Sequence, residues 1–191
     1  MIDGIPDSYQ RVDRTFAFVD LSGFTAYVGV QGDSAALEVL QSFKATVRHV
    51  ASRKGVRIAK WLGDGAMLVG TEPERIIEAV IEIEGLVNTS GSPLELRAGI
   101  ARGSVLLVEG EDHIGESVNL AARLCDLAKP RQVLAPESVV PSSRTDRDSD
   151  SMRLMSFLVN CEVEPVGDLE ISGLAEPIPV VRLLPEGGYD D

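Results

Sequence analysis

Two aspartates each stand beside a small-residue turn at the end of an apolar run: Asp20 in "DLSGFT", after "TFAFV", and Asp64 in "LGDG". Carboxylates at strand ends are hard oxygen ligands, and two of them meeting at one end of a sheet suit Mg²⁺ or Mn²⁺. Aspartate is also a good turn residue, which accounts for either one alone. The net charge of −12 favours the joint reading as a metal site, because so acidic a chain meets an anionic ligand only through a cation. Lys60 is a second anomaly. Strict strand alternation sets it on the face of Val56 and Ile58, with Arg57, Ala59 and Trp61 on the other; a lysine snorkelling from a strand end gives the same pattern. Asn119 and Arg123 share one face of an expected helix with Glu116 and Asp126, and a solvated stripe is the simpler account of that row. Asp112, in "EGEDHIG", reads likewise as one charge among several in a hairpin loop.

The elements that must position these residues follow from hydrophobic period and turn chemistry. Residues 1–13 form a polar lead-in, and "RTFAFVDL" (14–21), apolar on both alternating faces, predicts a central strand. Residues 34–55 carry Leu37, Leu40, Phe43, Val47 and Val50 at helical spacing, with Asp33 or Ser34 as N-cap and Gly55 as stop. Residues 56–70 predict a hairpin closed at "LGDG". Thr71 and Glu74 predict a capping box for a second helix whose buried face is Ile76, Ile77, Val80, Ile83 and Leu86. "LELRAGIA" and "SVLLVE" predict a strand pair around Gly103, followed by a helix over about 115–128 and a short strand, "QVLA". Residues 142–151 predict a mobile polar loop, and the chain closes with two short strands around a glycine turn before an acidic tail, 185–191. Strands and helices in this order predict a single α+β domain over 14–184, a mixed sheet covered by helices.

Composition sets the outer limits. The chain's 191 residues, 44% of them hydrophobic, suffice for one real core. It contains no apolar run of about 18 residues and no signal-like N-terminal segment, which predicts a cytoplasmic domain not embedded in a membrane. The charge argues against nucleic acid or an anionic membrane surface as partner, since both demand a basic footprint. Cys125 and Cys161 have neither metal-ligand nor CxxC spacing and are expected to be reduced.

Taken together, "FVDLSGFT", "KWLGDGAML", "RAGIARGSV" and "DHIGESVNLAARL" resemble, in order and at compatible spacing, the blocks of the class III nucleotidyl cyclase catalytic domain, over about residues 14–183. The resemblance implies a ferredoxin-like, palm-like α+β fold and an adenylate cyclase that turns ATP into 3′,5′-cyclic AMP and pyrophosphate. It implies Asp20, Leu21 and Asp64 as the metal set for two Mg²⁺ or Mn²⁺ ions per active site. Lys60 and Asp112 would select the base, Asn119 and Arg123 would serve the transition state, and Ser22, Gly23, Phe24 and Thr25 would lie along the phosphates. It further implies a homodimer whose sites take the metal aspartates from one copy and the other four residues from its partner. Where many members carry a phosphate-binding lysine near the C-terminus, this chain has "EISGLAEP", with Ser172 and Leu174. That departure keeps a second reading in view, a non-catalytic nucleotide-binding or dimerisation module that regulates a partner. A third, a diguanylate cyclase on a related palm, lacks a GGDEF-like signature.

Overall fold

A computed structural model describes residues 10–108, 112–140 and 161–185. Eight strands and three α-helices follow in the order β1 (Gln10–Leu21), α1 (Phe24–Lys54), β2 (Arg57–Leu62), β3 (Gly65–Gly70), α2 (Pro73–Thr89), β4 (Leu96–Val108), β5 (Asp112–Ile114), α3 (Glu116–Leu127), β6 (Val133–Pro136), β7 (Cys161–Leu169) and β8 (Ile178–Pro185). The sheet runs β2-β3-β1-β4-β6-β8-β7, with β5 on β4, and every pairing is antiparallel except β4 with β6. This is the expected mixed sheet covered by helices. Among the described residues no helix is long and apolar enough to cross a membrane.

One face of the sheet buries Ala17, Val19, Leu68, Ala98 and Ile100 against Phe43, Val47 and Val50 of α1 and Ile76, Ile77, Val80 and Ile83 of α2. Each of these α2 isoleucines is fully buried, and truncating one to alanine costs about 2–5 kcal/mol. The opposite face gathers Phe16, Met67, Val69, Ala101 and Val105 under Ala121 of α3. A third cluster joins Leu124 and Ala128 to Leu134, Ile171 and Val180, so α3 is held on two sides.

Several local expectations are corrected. β1 begins at Gln10, because residues 10–13 find partners on β4, and the lead-in is shorter than its polarity suggests. The helix expected at 34–55 is continuous with a first segment opening at Phe24, the two meeting at a kink where Gly32 adopts φ 82° and ψ 170°. Leu37 is 53% exposed and Leu86 42%, so both lie off the buried stripes of their helices. The capping box does not form: Glu72 is the N-cap without a side-chain cap, since Pro73 sets the helical φ of the first turn and has no N–H to satisfy. Instead Glu72 accepts from Arg75 Nε at 2.6 Å. The pair expected around Gly103 is the single strand β4; Gly103 is there because Ser117 of α3 presses on it, a Cβ falling 3.1 Å from Ser117 Cβ. The loop at 142–151 and the tail beyond Pro185 lie outside the described residues.

Candidate active site

Asp20, next to last in β1, lies opposite Gly65 on one side and Arg97 on the other. Strand alternation aims its carboxylate at the α3 face, away from buried Val19 and Leu21. The Gly63–Asp64 turn closes the β2–β3 hairpin, Gly63 supplying φ 72°. Leu21 N–H donates to the Asp64 carbonyl at 3.3 Å, which ties this turn to the end of β1. Gly65 lets the strands close here, because a Cβ would stand 2.8 Å from the Val19 carbonyl and 3.1 Å from Asp20 Oδ1. The two aspartates are thus neighbours. Leu21 is buried, which leaves only its backbone for any ligand.

Arg97, which pattern reading passed over, is the counter-ion of this corner. Its Nε and Nη2 donate to Asp20 Oδ2 at 3.0 and 2.8 Å, and its Nη1 donates to the Asp126 carbonyl at the end of α3 at 3.0 Å. Burial pushes the Asp20 carboxyl above its ordinary range; Arg97's hydrogen bonds oppose this and the Asp64 charge reinforces it. With Asp64 and Asp126 also near Asp20, one guanidinium leaves the corner with an excess of carboxylates, and Oδ1 takes no part in its bonds. Among the described residues no three His, Cys, Asp or Glu side chains cluster as a metal cage. The donor set fits a divalent ion that takes the rest of its shell from water and phosphate rather than a protein-only site. The sequence did hold a signal for Arg97: it is a cation set between Leu96 and Ala98 in a mostly apolar strand, the same kind of anomaly that marked Lys60.

Lys60 is placed by a β-bulge. Ile58 pairs with Leu68 but Lys60 pairs with Met67, so β2 holds one extra residue at Ala59 and the alternation slips. Trp61 joins Ile58 on the α1 side, and Lys60 turns to the α3 face, correcting the assignment by simple alternation. There its Nζ meets Asp112 Oδ1 at 2.6 Å. The hydrogen-bonded order separates β2 from β5 by β3, β1 and β4, so this contact closes over the face of the sheet, not along a ladder. His113 marks the same closure by meeting Phe16 edge-on, ring centroids 5.2 Å apart. The Lys60 hydrogen bond holds the Asp112 carboxyl below its usual range. Both partners remain half-exposed, at 52% and 57%, so the pair is cheap to open.

Asn119 is exposed on α3 and Arg123 half-buried one turn on. Arg123 lies against Gly173 in the β7–β8 connection, not against Asp20. Ser22 N–H donates to the Glu95 carbonyl at 2.8 Å, and Gly23 at φ 79° caps α1. The first helical bond runs from Tyr27 N–H to the Gly23 carbonyl at 3.0 Å, so the amides of Phe24 and Thr25 precede the helical ladder. No acidic side chain occupies the first turn of α1. Cys125 and Cys161 are both buried, and burial followed by the Asp20 charge pushes the Cys125 thiol up to about 12.

No protein-family model matches the chain. It is 37% identical over 131 residues to an uncharacterised protein of Mycobacterium tuberculosis, covering 69% of this chain and 34% of that protein. It is 32% identical over 146 residues to an adenylate cyclase of Streptomyces coelicolor, covering 75% and 38%. The chain thus spans about a third of the length of the curated relatives it matches. Among solved structures, the adenylyl cyclase CyaB from P. aeruginosa superposes with a TM-score of 0.70 at 20% identity, over 92% of this chain and 95% of that one. The guanylate cyclase domain of RhGC from Catenaria anguillulae, in complex with GTP, superposes with a TM-score of 0.73 at 16% identity, over 92% and 98%. The described residues have the fold of the class III nucleotidyl cyclase catalytic domains.

Proposed function

We propose that this domain cyclises ATP to 3′,5′-cyclic AMP and pyrophosphate in sites shared by two copies of the chain. The observation that carries the choice of base is the closure of Lys60 on Asp112 at 2.6 Å, a donor beside an acceptor on the face that holds Asp20. Adenine presents an acceptor at N1 and a donor at N6, which match an ammonium and a carboxylate, whereas guanine reverses both edges. The resting pair must part to admit the base, and its exposure keeps that cost low.

Asp20 and Asp64, with the Leu21 carbonyl, would hold the divalent ions. Such ions, when bound, neutralise the triphosphate and lower the pKa of the ribose 3′-hydroxyl. The amides at the start of α1, beside Ser22 and Gly23, would receive phosphate oxygens. Asn119 would fix the ribose, and Arg123 would meet the charge that grows on the α-phosphate. The 3′-oxygen bonds to the α-phosphorus as the bond to the bridging oxygen breaks; the hydroxyl proton is released and pyrophosphate leaves with the electron pair. Sharing between copies is supported by the resting contacts within one chain, where Asp20 is engaged by Arg97 and Arg123 rests on Gly173.

A second reading, a nucleotide-binding module without turnover, is favoured by one feature: the 170–177 turn presents Glu170, Ser172, Leu174 and Glu176 and no cation. Incubation with ATP and Mn²⁺ or Mg²⁺ decides between them. Cyclic AMP should form, and should vanish with chelator or in Asp20→Asn and Asp64→Asn proteins that remain folded. Binding of ATP without any cyclic AMP, with either ion, would leave the module reading standing and overturn ours.

A further inference from the structure

The turn between β7 and β8 is tied to α3 from below. Ile171 is buried with Leu124 and Ala128, and Leu174 packs on the same cluster. Leu174 N–H donates to the Ile171 carbonyl at 2.9 Å, closing the turn around Ser172 and Gly173. Gly173 adopts φ 85°, and a Cβ built there would fall 2.7 Å from Arg123 Nη1, 3.0 Å from Nη2 and 3.3 Å from Cζ. It is thus the guanidinium plate, not one tip, that occupies the space a side chain would take. Among the described residues no carboxylate forms an ion pair with Arg123. What sets the direction of this guanidinium is therefore shape.

We infer that Gly173 is a positioning residue for Arg123: its missing side chain is the berth in which the guanidinium is held ready for substrate. This rests on the cyclase reading for its consequence in catalysis, but not for the contact itself. The glycine answers two demands at once, a left-handed backbone and an open surface, and any L-residue fails the second even where it tolerates the first. The apolar anchoring of Ile171 and Leu174 makes the berth rigid, so an added methyl moves the arginine rather than the turn. A guanidinium displaced by about an ångström loses its aim at a developing charge, at a cost of roughly ten- to a hundredfold in rate.

The test is a double-mutant cycle on Gly173→Ala and Arg123→Ala, repeated with Gly173→Asn, because asparagine tolerates the left-handed backbone and so separates strain from displacement. In the parent, Gly173→Ala should lower kcat by roughly tenfold or more with KM for ATP nearly unchanged. In the Arg123→Ala background it should change kcat by less than about twofold. Equal losses in both backgrounds would mean a merely structural glycine and overturn the inference. A second readout needs no turnover: the Arg123 Nε–Hε resonance, assigned by its loss in Arg123→Ala, should shift or broaden in both Gly173 variants. An unmoved resonance overturns the inference even if the protein is an active cyclase; a moved one supports the berth even if it is not.

Discussion

The Asp20 carboxylate and the Arg97 guanidinium face each other across β1 and β4, and one oxygen, Oδ2, accepts from both Nε at 3.0 Å and Nη2 at 2.8 Å. The same arginine grips the end of α3 through the Asp126 carbonyl. One side chain thus balances a partly buried carboxylate and fastens a helix to the sheet.

Removing that counter-ion should be costly to the fold. Arg97→Gln leaves Asp20 partly buried beside Asp64 without its charge partner, and should destabilise the domain by about 1–3 kcal/mol near neutral pH. Asp20→Asn in the same chain should recover part of the loss. Urea unfolding of the four proteins gives the coupling energy, and a value near zero would mean that the two residues are independent.

Base choice should follow Lys60 and Asp112. Lys60→Glu with Asp112→Cys inverts the donor and acceptor pattern, and the ratio of ATP to GTP turnover should fall by roughly tenfold or more. Initial rates with each nucleotide check this. A ratio that stays put would show that these side chains do not read the base.

Subunit sharing makes an arithmetical prediction. Asp20→Ala and Arg123→Ala proteins should each be nearly silent, because every site in either homodimer has one lesion. Mixing them puts both lesions in one site of a heterodimer and leaves the other whole, so random exchange should restore about a quarter of the parent activity. Silence after verified exchange would contradict the shared site.

His113 should make stability pH-dependent. Burial first, then the neighbouring Arg57 and Arg14, hold its imidazole below the ordinary range. The folded state therefore releases its proton more readily than the unfolded one. The contribution is fully present above about pH 6.5, the unfolded value, and is lost as pH falls through the lower folded value. His113→Phe keeps a ring against Phe16, and its urea midpoint should fall less than the parent's between about pH 7.5 and about 5.5. Parallel falls in the two proteins would exclude His113 as the source.

Although the strand pair read around Gly103 is the single strand β4, the other main strands, the three helices, the "LGDG" hairpin and the meeting of Asp20 with Asp64 were legible in the residue pattern alone. These depend on short-range chemistry: hydrophobic period, glycine at turns, and a β2–β3 hairpin whose second strand pairs with β1. Tertiary structure decided the rest. Alternation assigned Lys60 to the wrong face because one extra residue at Ala59 shifts every later side chain, and only pairing with β3 reveals that residue. Asp112 reaches Lys60 because the β4–β5 hairpin closes over the face, a consequence of sheet shape that no local pattern encodes. Asp20 and Arg97 lie 77 residues apart in the chain, and Arg123 meets Gly173 only when the β7–β8 turn packs beneath α3. Residue types announce which charges need partners. Which partners they find depends on strand register and packing, and these are set by the whole core at once.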